Sequence, residues 1–379
     1  MELTVSKEIL AGALRNALNV VGKSSTLPIL NNVLLEAADG KLVVVGTDLD
    51  LTVRTEIPVT LKEPGTITLL AKKFGQIVNS LPDGEVTLKT DDKQQTAISC
   101  KKSFFRLVGM DSAEFPRESA IENGFSFSMV PNEFRKILAK VSYAVCPDVT
   151  RRALNGVLLS LRAGKLTAAA TDGRRLALME KQLPDGTPGE GDVILPPKAV
   201  AEAEKLCALG ADKPAPTKQQ QAQQVEELIH VTLSDRRAAF KLGGTVLTTK
   251  LVEGNYPNYR QVIPTAFASS VIIPREDFSQ VLNRVSMVVT ESNATVRVSL
   301  ENAKMTVSAL SSEIGEANEP MEVSYEGKPL QIAFNPGFLA EPIKQLECDQ
   351  LVLNVNDEFS PVSLTGDEGY LYIIMPMRV

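Results

Sequence analysis

Leu30 to Asp48, LNNVLLEAADGKLVVVGTD, recurs as LNGVLLSLRAGKLTAAATD from Leu154 to Asp172, with 10 of 19 positions identical and no gap. The copies lie 124 residues apart, well beyond the roughly 20 to 50 residues of a solenoid unit, so each repeat is the size of a domain. A fainter third copy, TVRVSLENAKMTVSA from Thr295, retains Val296, Leu300, Lys304 and Thr306 where the second has Val157, Leu161, Lys165 and Thr167. A short strand leading into an amphipathic helix precedes each copy, at LTVSKEILAGALRNAL, FSMVPNEFRKILAKV and VIIPREDFSQVLNRV.

Within these openings, Leu10, Leu14, Ala17 and Val21 fall at helical spacing, as do Phe134, Ile137, Leu138 and Val141, and Phe278, Val281, Leu282 and Val285. A second helical stretch follows in each unit at AKKFGQIVNSL, PPKAVAEAEKLCA and NPGFLAEPIKQL, where Pro342 is expected to kink or shorten the last. Between the helices, KLVVVGTDLDLTVRTEI and EELIHVTLSDRRAAFKL alternate like half-buried antiparallel strands. The pattern predicts an α+β fold of three tandem domains, with helices covering one face of antiparallel sheets. Aperiodic, Pro-punctuated stretches at 111–124 and 255–270 place the domains at 1–122, 123–268 and 269–379. The Pro, Lys and Gln-rich run ADKPAPTKQQQAQQ, 211–224, is expected to be a flexible surface insertion in the second domain.

The composition, 44% hydrophobic and 23% charged over 379 residues, supports two or three ordinary cores. There is no apolar run of membrane-spanning length, and MELTVSKEIL carries charge where a signal peptide needs an apolar stretch, so a cytoplasmic protein is expected. Cys100, Cys146, Cys207 and Cys348 form no CxxC pair, and His230 is the only histidine, set in an alternating strand. A zinc site, a disulfide framework and a Ser-His-Asp triad are therefore not expected, and neither is a metal or cofactor. Asp48 and Asp172 follow equivalent strands, which suits a turn-capping carboxylate better than a catalytic one. The net charge is −6, yet the six helical stretches carry 13 Lys or Arg against 7 Asp or Glu. Solvated helix faces account for such a bias as readily as a helix-lined surface meeting a phosphate backbone does.

TLPIL at Thr26, ATDGRRLA at Ala170, KLVEGNYPNYRQVIP at Lys250 and the terminal YLYIIMPMRV stand in the order and spacing of the beta sliding clamps, the processivity subunits of bacterial DNA polymerase III, which the whole chain resembles. The resemblance implies a non-enzymatic clamp: a head-to-tail homodimer of three-domain chains forming a closed ring, helices inside and sheets outside, with duplex DNA in the hole. It implies docking of the polymerase, clamp loader and repair proteins through short peptides bearing Gln and Leu or Phe. By position, Lys23, Ser24, Lys73 and Lys198 would face DNA, although the family often carries Arg where this chain has Ser24. The peptide pocket would comprise Leu154, Thr171, Gly173, Arg174, Arg175, Leu176, Pro257, Gln261, Val262, Met375, Pro376, Met377 and Arg378. Arg174 stands where many members have His, and Gln261 where a second Arg is common, which would weaken contacts to acidic peptide flanks. Phe105 and Leu107 would meet Met287 and Val288 at the dimer interface. The alternative is an acidic multi-domain scaffold that binds peptides without encircling DNA.

Overall fold

The computed structural model describes residues 1–22, 27–117, 121, 124–184, 189–211, 227–290 and 294–378, with side chains described only to 208 at the end of the fourth helix. Lys23, Ser24 and all but the first residue of the 211–224 stretch lie outside them. The chain divides into two compact units, one of residues 1–134 with 201–251 and the other of 135–200 with 252–379.

In the first unit, five strands run in the order Thr60–Glu63, Glu2–Ser6, Glu85–Thr90, Gln95–Cys100 and Ser103–Val108. An eight-stranded antiparallel sheet beside it runs Phe125–Met129, Ile229–Leu233, Arg237–Leu242, Thr245–Lys250, Leu51–Pro58, Lys41–Thr47, Asn32–Ala38 and Gly65–Leu70. Its middle seam joins segments nearly two hundred residues apart, with Thr245 opposite Thr55 and Leu247 opposite Val53. The second unit repeats the plan. Its eight strands run Gly191–Leu195, Val157–Arg162, Lys165–Thr171, Arg175–Gln182, Tyr370–Ile374, Val362–Thr365, Gln350–Val355 and Ser269–Pro274. The seam pairs Arg175 with Ile374 and Met179 with Tyr370. A four-stranded sheet, Gly315–Glu322, Lys304–Ser311, Val296–Glu301 and Leu330–Phe334, completes this unit.

The helices are α1 Lys7–Val20, α2 Ala71–Ser80, α3 Pro131–Ser142, α4 Pro197–Ala211, α5 Arg275–Val285 and α6 Pro336–Gln345. The helical apolar spacing is spent on burial: Leu10, Leu14 and Ala17 of α1 and Phe74 and Val78 of α2 join Leu35, Val44, Leu69 and Leu88 in one core. Burying each large side chain there contributes about 1.5–3 kcal/mol. Helix and sheet approach closely at Gly46, where a Cβ would fall 2.6 Å from the Ala17 carbonyl oxygen.

Two expectations need correction. The strand Lys41–Thr47 does not alternate between faces, because every residue after Lys41 is buried. Val43 and Val45 pack with Phe115 in a second apolar cluster on the face away from α1 and α2, so the segment after the first repeat covers both valines. Pro342 does not end α6, which continues to Gln345. The Phe338 carbonyl, which a proline nitrogen cannot serve, instead accepts the Tyr372 hydroxyl at 2.8 Å.

Among the described residues, no helix is long and apolar enough to cross a membrane, and no group of three His, Cys, Asp or Glu could hold a metal ion. His230 is exposed on its strand, with Nδ1 2.6 Å from the Ser128 Oγ.

Candidate functional site

The turn that closes the repeated hairpin is built by its own side chains. In the first copy, Asp48 Oδ1 accepts the backbone N–H groups of Asp50 and Leu51 at 3.0 and 2.8 Å, and Thr47 Oγ1 accepts that of Leu49 at 3.1 Å. In the second, Asp172 Oδ1 accepts those of Arg174 and Arg175 at 2.8 and 3.1 Å, and Thr171 Oγ1 that of Gly173 at 3.1 Å. In the third, Ser311 Oγ takes the corresponding N–H groups of Glu313 and Ile314, both at 3.3 Å. The two aspartates are thus turn caps, as their repeated placement predicts.

The second copy gathers further elements around this turn. The Met375 N–H donates to the Arg174 carbonyl at 2.9 Å, which ties the chain end to the turn, and the Met377 N–H donates to the Ala333 carbonyl at 2.8 Å. The Thr171 N–H donates to the Tyr256 hydroxyl at 3.0 Å, and Arg151 donates to the Asp172 carbonyl at 2.9 Å. Tyr259 joins Leu158, Ala169, Leu176, Leu178 and Ile373 in an apolar cluster, with Tyr256 and Ile263 packed against it. Gln261 and Val262 lie in the 3₁₀ turn Tyr259–Val262 beside it, and Leu154 ends another, Arg152–Leu154. Val262, Met375 and Met377 are 50%, 41% and 36% exposed, an uncovered apolar set around a buried floor. Gly173, Arg174, Pro257, Gln261 and Arg378 are also exposed, while Pro376 is half-buried. Leu176 is buried in the floor.

Arg175 stands apart from the set it was assigned to. It is 8% exposed, and strand alternation turns it away from Leu176 and Leu178. Its Nε donates to Asp172 Oδ2 at 3.0 Å, Nη1 to Glu341 Oε2, and Nη2 to the Tyr143 carbonyl at 2.8 Å. The guanidinium lies 4.2 Å from the centroid of the Phe338 ring and 5.7 Å from that of Tyr143. Desolvation, the largest single influence, works against its charge, but its neighbours, the Glu341 carboxylate foremost with Tyr372 and Asp172, together outweigh it and raise its pKa. Tyr143, Glu341 and Phe338 carry no motif of their own, and Tyr256 lies in KLVEGNYPNYRQVIP without having been assigned to the pocket. The one cue available in the sequence is the strand period, which sets Arg175 on the face opposite Leu176.

The other expected residues are dispersed. Lys73 and Lys198 are exposed in the first turns of α2 and α4. Phe105 is 37% exposed on the border strand Ser103–Val108, and Leu107 packs partly against the core. Met287 is 74% exposed and Val288 half-buried in the 3₁₀ turn after α5.

Profiles described as the N-terminal, central and C-terminal domains of the DNA polymerase III beta subunit match residues 1–119, 128–258 and 260–378. The chain is 32% identical to the beta sliding clamp of Caulobacter vibrioides over 387 residues, covering all of both chains. It is 29% identical to that of Chlamydia muridarum, covering 100% of this chain and 99% of the relative. Among solved structures, the C. crescentus beta sliding clamp superposes with a TM-score of 0.90 at 32% identity, and a Pseudomonas aeruginosa sliding clamp bound to griselimycin with 0.92 at 27%, each over the full length of both chains.

Proposed function

The chain belongs to the DNA polymerase III beta subunit family, the beta sliding clamps, and from that we propose how its parts divide the work. Its function is that of a DNA sliding clamp, a non-catalytic processivity subunit whose homodimeric ring surrounds duplex DNA and holds the polymerase and other partners to it. The three domains are taken as 1–122, 123–268 and 269–379, and the protein as cytoplasmic.

The observation that carries the ring is the pair of incomplete sheets. Each eight-stranded sheet consists of two four-stranded halves from different thirds of the chain. The five-stranded sheet ends at Ser103–Val108 and the four-stranded one at Gly315–Glu322, each border strand lacking a partner on its outer side among the described residues. These strands occupy the places that Thr245–Lys250 and Leu51–Pro58 hold in the completed seam. Joining the borders of two copies in the same register sets Phe105 opposite Ala317 of the other copy, and Arg106 opposite its Glu316. Phe104, Phe105 and Val108, at 58%, 37% and 76% exposure, are then covered, as is Met287. Leu107 and Val288 border this contact. Two such joints, one at each end of each chain, close a head-to-tail dimer.

Lys73, Lys198, Lys23 and Ser24 face the duplex in this reading. The attraction of the three lysines to phosphates is long-ranged and sequence-independent, so it centres DNA without fixing it, and direct affinity falls as salt rises; Ser24, being neutral, adds no such attraction. The groove around Leu154, Thr171, Gly173, Arg174, Leu176, Pro257, Gln261, Val262 and Met375–Arg378 receives partner peptides, with methionines adapting to different side chains. The test loads the protein onto circular DNA with a clamp loader and then linearises the DNA. A closed ring slides off the ends; retention on linear DNA would overturn the encirclement.

A further inference from the structure

The geometry points to Arg175 as the positioning residue of the peptide groove, a latch holding the Thr171–Arg175 turn from behind while making no contact with peptide. This rests on the groove reading above. The turn supplies Gly173 and Arg174 to the groove rim, and the Arg174 carbonyl anchors the chain end through the Met375 N–H. The turn is itself tied to Arg175, because Thr171 Oγ1 donates to the Arg175 carbonyl at 2.6 Å and Asp172 accepts both the backbone N–H and the Nε of Arg175. The guanidinium is directed away from the groove floor. It is clamped between Asp172, Glu341, the Tyr143 carbonyl and the Phe338 ring, with Glu341 and Phe338 both on α6. One planar five-donor group therefore fixes the turn, and through it the Met375 segment, against α3 and α6. A lysine, with a point charge and no fork, cannot make the same set of contacts.

The equivalent turn of the first eight-stranded sheet shows that the buried charge is specific to this turn. Leu51, the residue equivalent to Arg175 in the first copy, is 2% exposed and apolar, although the Asp50 carbonyl there accepts the Lys250 N–H at 2.8 Å just as that of Arg174 accepts the Met375 N–H. The position carries a buried charge only where a groove depends on it.

A latch and a peptide ligand respond oppositely to Glu341→Gln. If Arg175 bound peptide, weakening its competing partner would leave affinity unchanged or raise it. As a latch, it loses its hold on α6 and affinity falls. The full-length dimer is titrated by fluorescence anisotropy with two synthetic peptides carrying Gln, Leu and Phe, one neutral and one with acidic flanks. Glu341 is half exposed, so the variant is expected to fold and to elute as a dimer like the parent. Glu341→Gln is expected to weaken both peptides about tenfold, the scale of one charge-assisted hydrogen bond, and by equal factors. Arg175→Lys is expected to weaken both at least as much. Unchanged or tighter binding by Glu341→Gln, or a loss in Arg175→Lys confined to the acidic peptide, would overturn the latch while leaving the groove in place. Failure of the parent protein to bind either peptide would instead overturn the groove, and the latch with it.

Discussion

The turns at Thr47–Leu51 and Thr171–Arg175 share a fold of backbone and differ in what they bury. Both are capped by aspartate at the same two N–H groups, and both place their third residue in the left-handed region, Leu49 at φ +80° and Gly173 at +91°. In the first copy Leu51 enters the core; in the second Arg175 enters with a charge that four groups must satisfy. The apolar choice is self-sufficient, whereas the charged one adds no stability unless every partner is present. What it adds is dependence: the second turn is correct only when α3, α6 and the sheet are all in place. That condition suits a turn on which a binding surface is assembled.

Exchanging the residues breaks the comparison most severely. Leu51→Arg buries a guanidinium beside Asp48, the counterpart of Asp172, but without the Glu341, Tyr143 and Phe338 that serve Arg175, and is expected to cost about 4 kcal/mol or more, read as loss of the first unit's cooperative transition in urea. Removing the caps sharpens it. Asp172→Ala strips a buried arginine of one carboxylate and is expected to cost about 3 kcal/mol, whereas Asp48→Ala forfeits turn hydrogen bonds for about 1 kcal/mol. Equal losses would show that Arg175 draws little on Asp172.

Acid gives the next effect. Asp367 is half-buried beside the buried Lys140, 2.6 Å away, and although desolvation works to raise its pKa, the Lys140 ammonium and the Glu347 and Cys348 N–H groups hold it below the ordinary value. A carboxyl lowered on folding contributes fully above its unfolded pKa, about 3.9, and loses that contribution as pH falls through the lower folded value. Thermal melts from pH 6 to pH 2 should show a loss below about pH 4 that is smaller in Asp367→Asn, already destabilised, because the share due to this carboxylate is gone. The smallest effect is at the left-handed residues. Gly173→Ala is expected to cost about 1 kcal/mol, while Leu49→Gly relieves backbone strain of similar size and gains about 0.5 kcal/mol net of the added chain entropy; melting temperatures of both variants check the opposite signs.

Much of this is legible in the sequence itself. The three repeats, the strand-helix opening of each and the capping role of Asp48 and Asp172 follow from spacing, because period and turn chemistry are local. The seams were not legible: alternation in Leu51–Pro58 tells which face is buried but not that its neighbour is Thr245–Lys250. For the same reason the covered outer face of Val43 and Val45 was missed, since burial on both faces depends on a distant segment. The resemblance alone places Arg175 with a binding surface, whereas its side-chain partners, Tyr143, Phe338 and Glu341, come from two other helical regions that no motif links to it. Position along a motif gave the neighbourhood, and only packing gave the direction of the side chain.

The open borders at Ser103–Val108 and Gly315–Glu322 also bear on handling. A strand with unmet N–H and C=O groups and exposed phenylalanines is a template for any passing extended chain. In the proposed ring each border pairs with the other border of the second copy and that template is hidden, so the hazard belongs to the separated subunit. Dilution that splits the assembly should therefore promote precipitation, contrary to the usual rule that dilute solutions keep best, and storage at higher concentration should protect it.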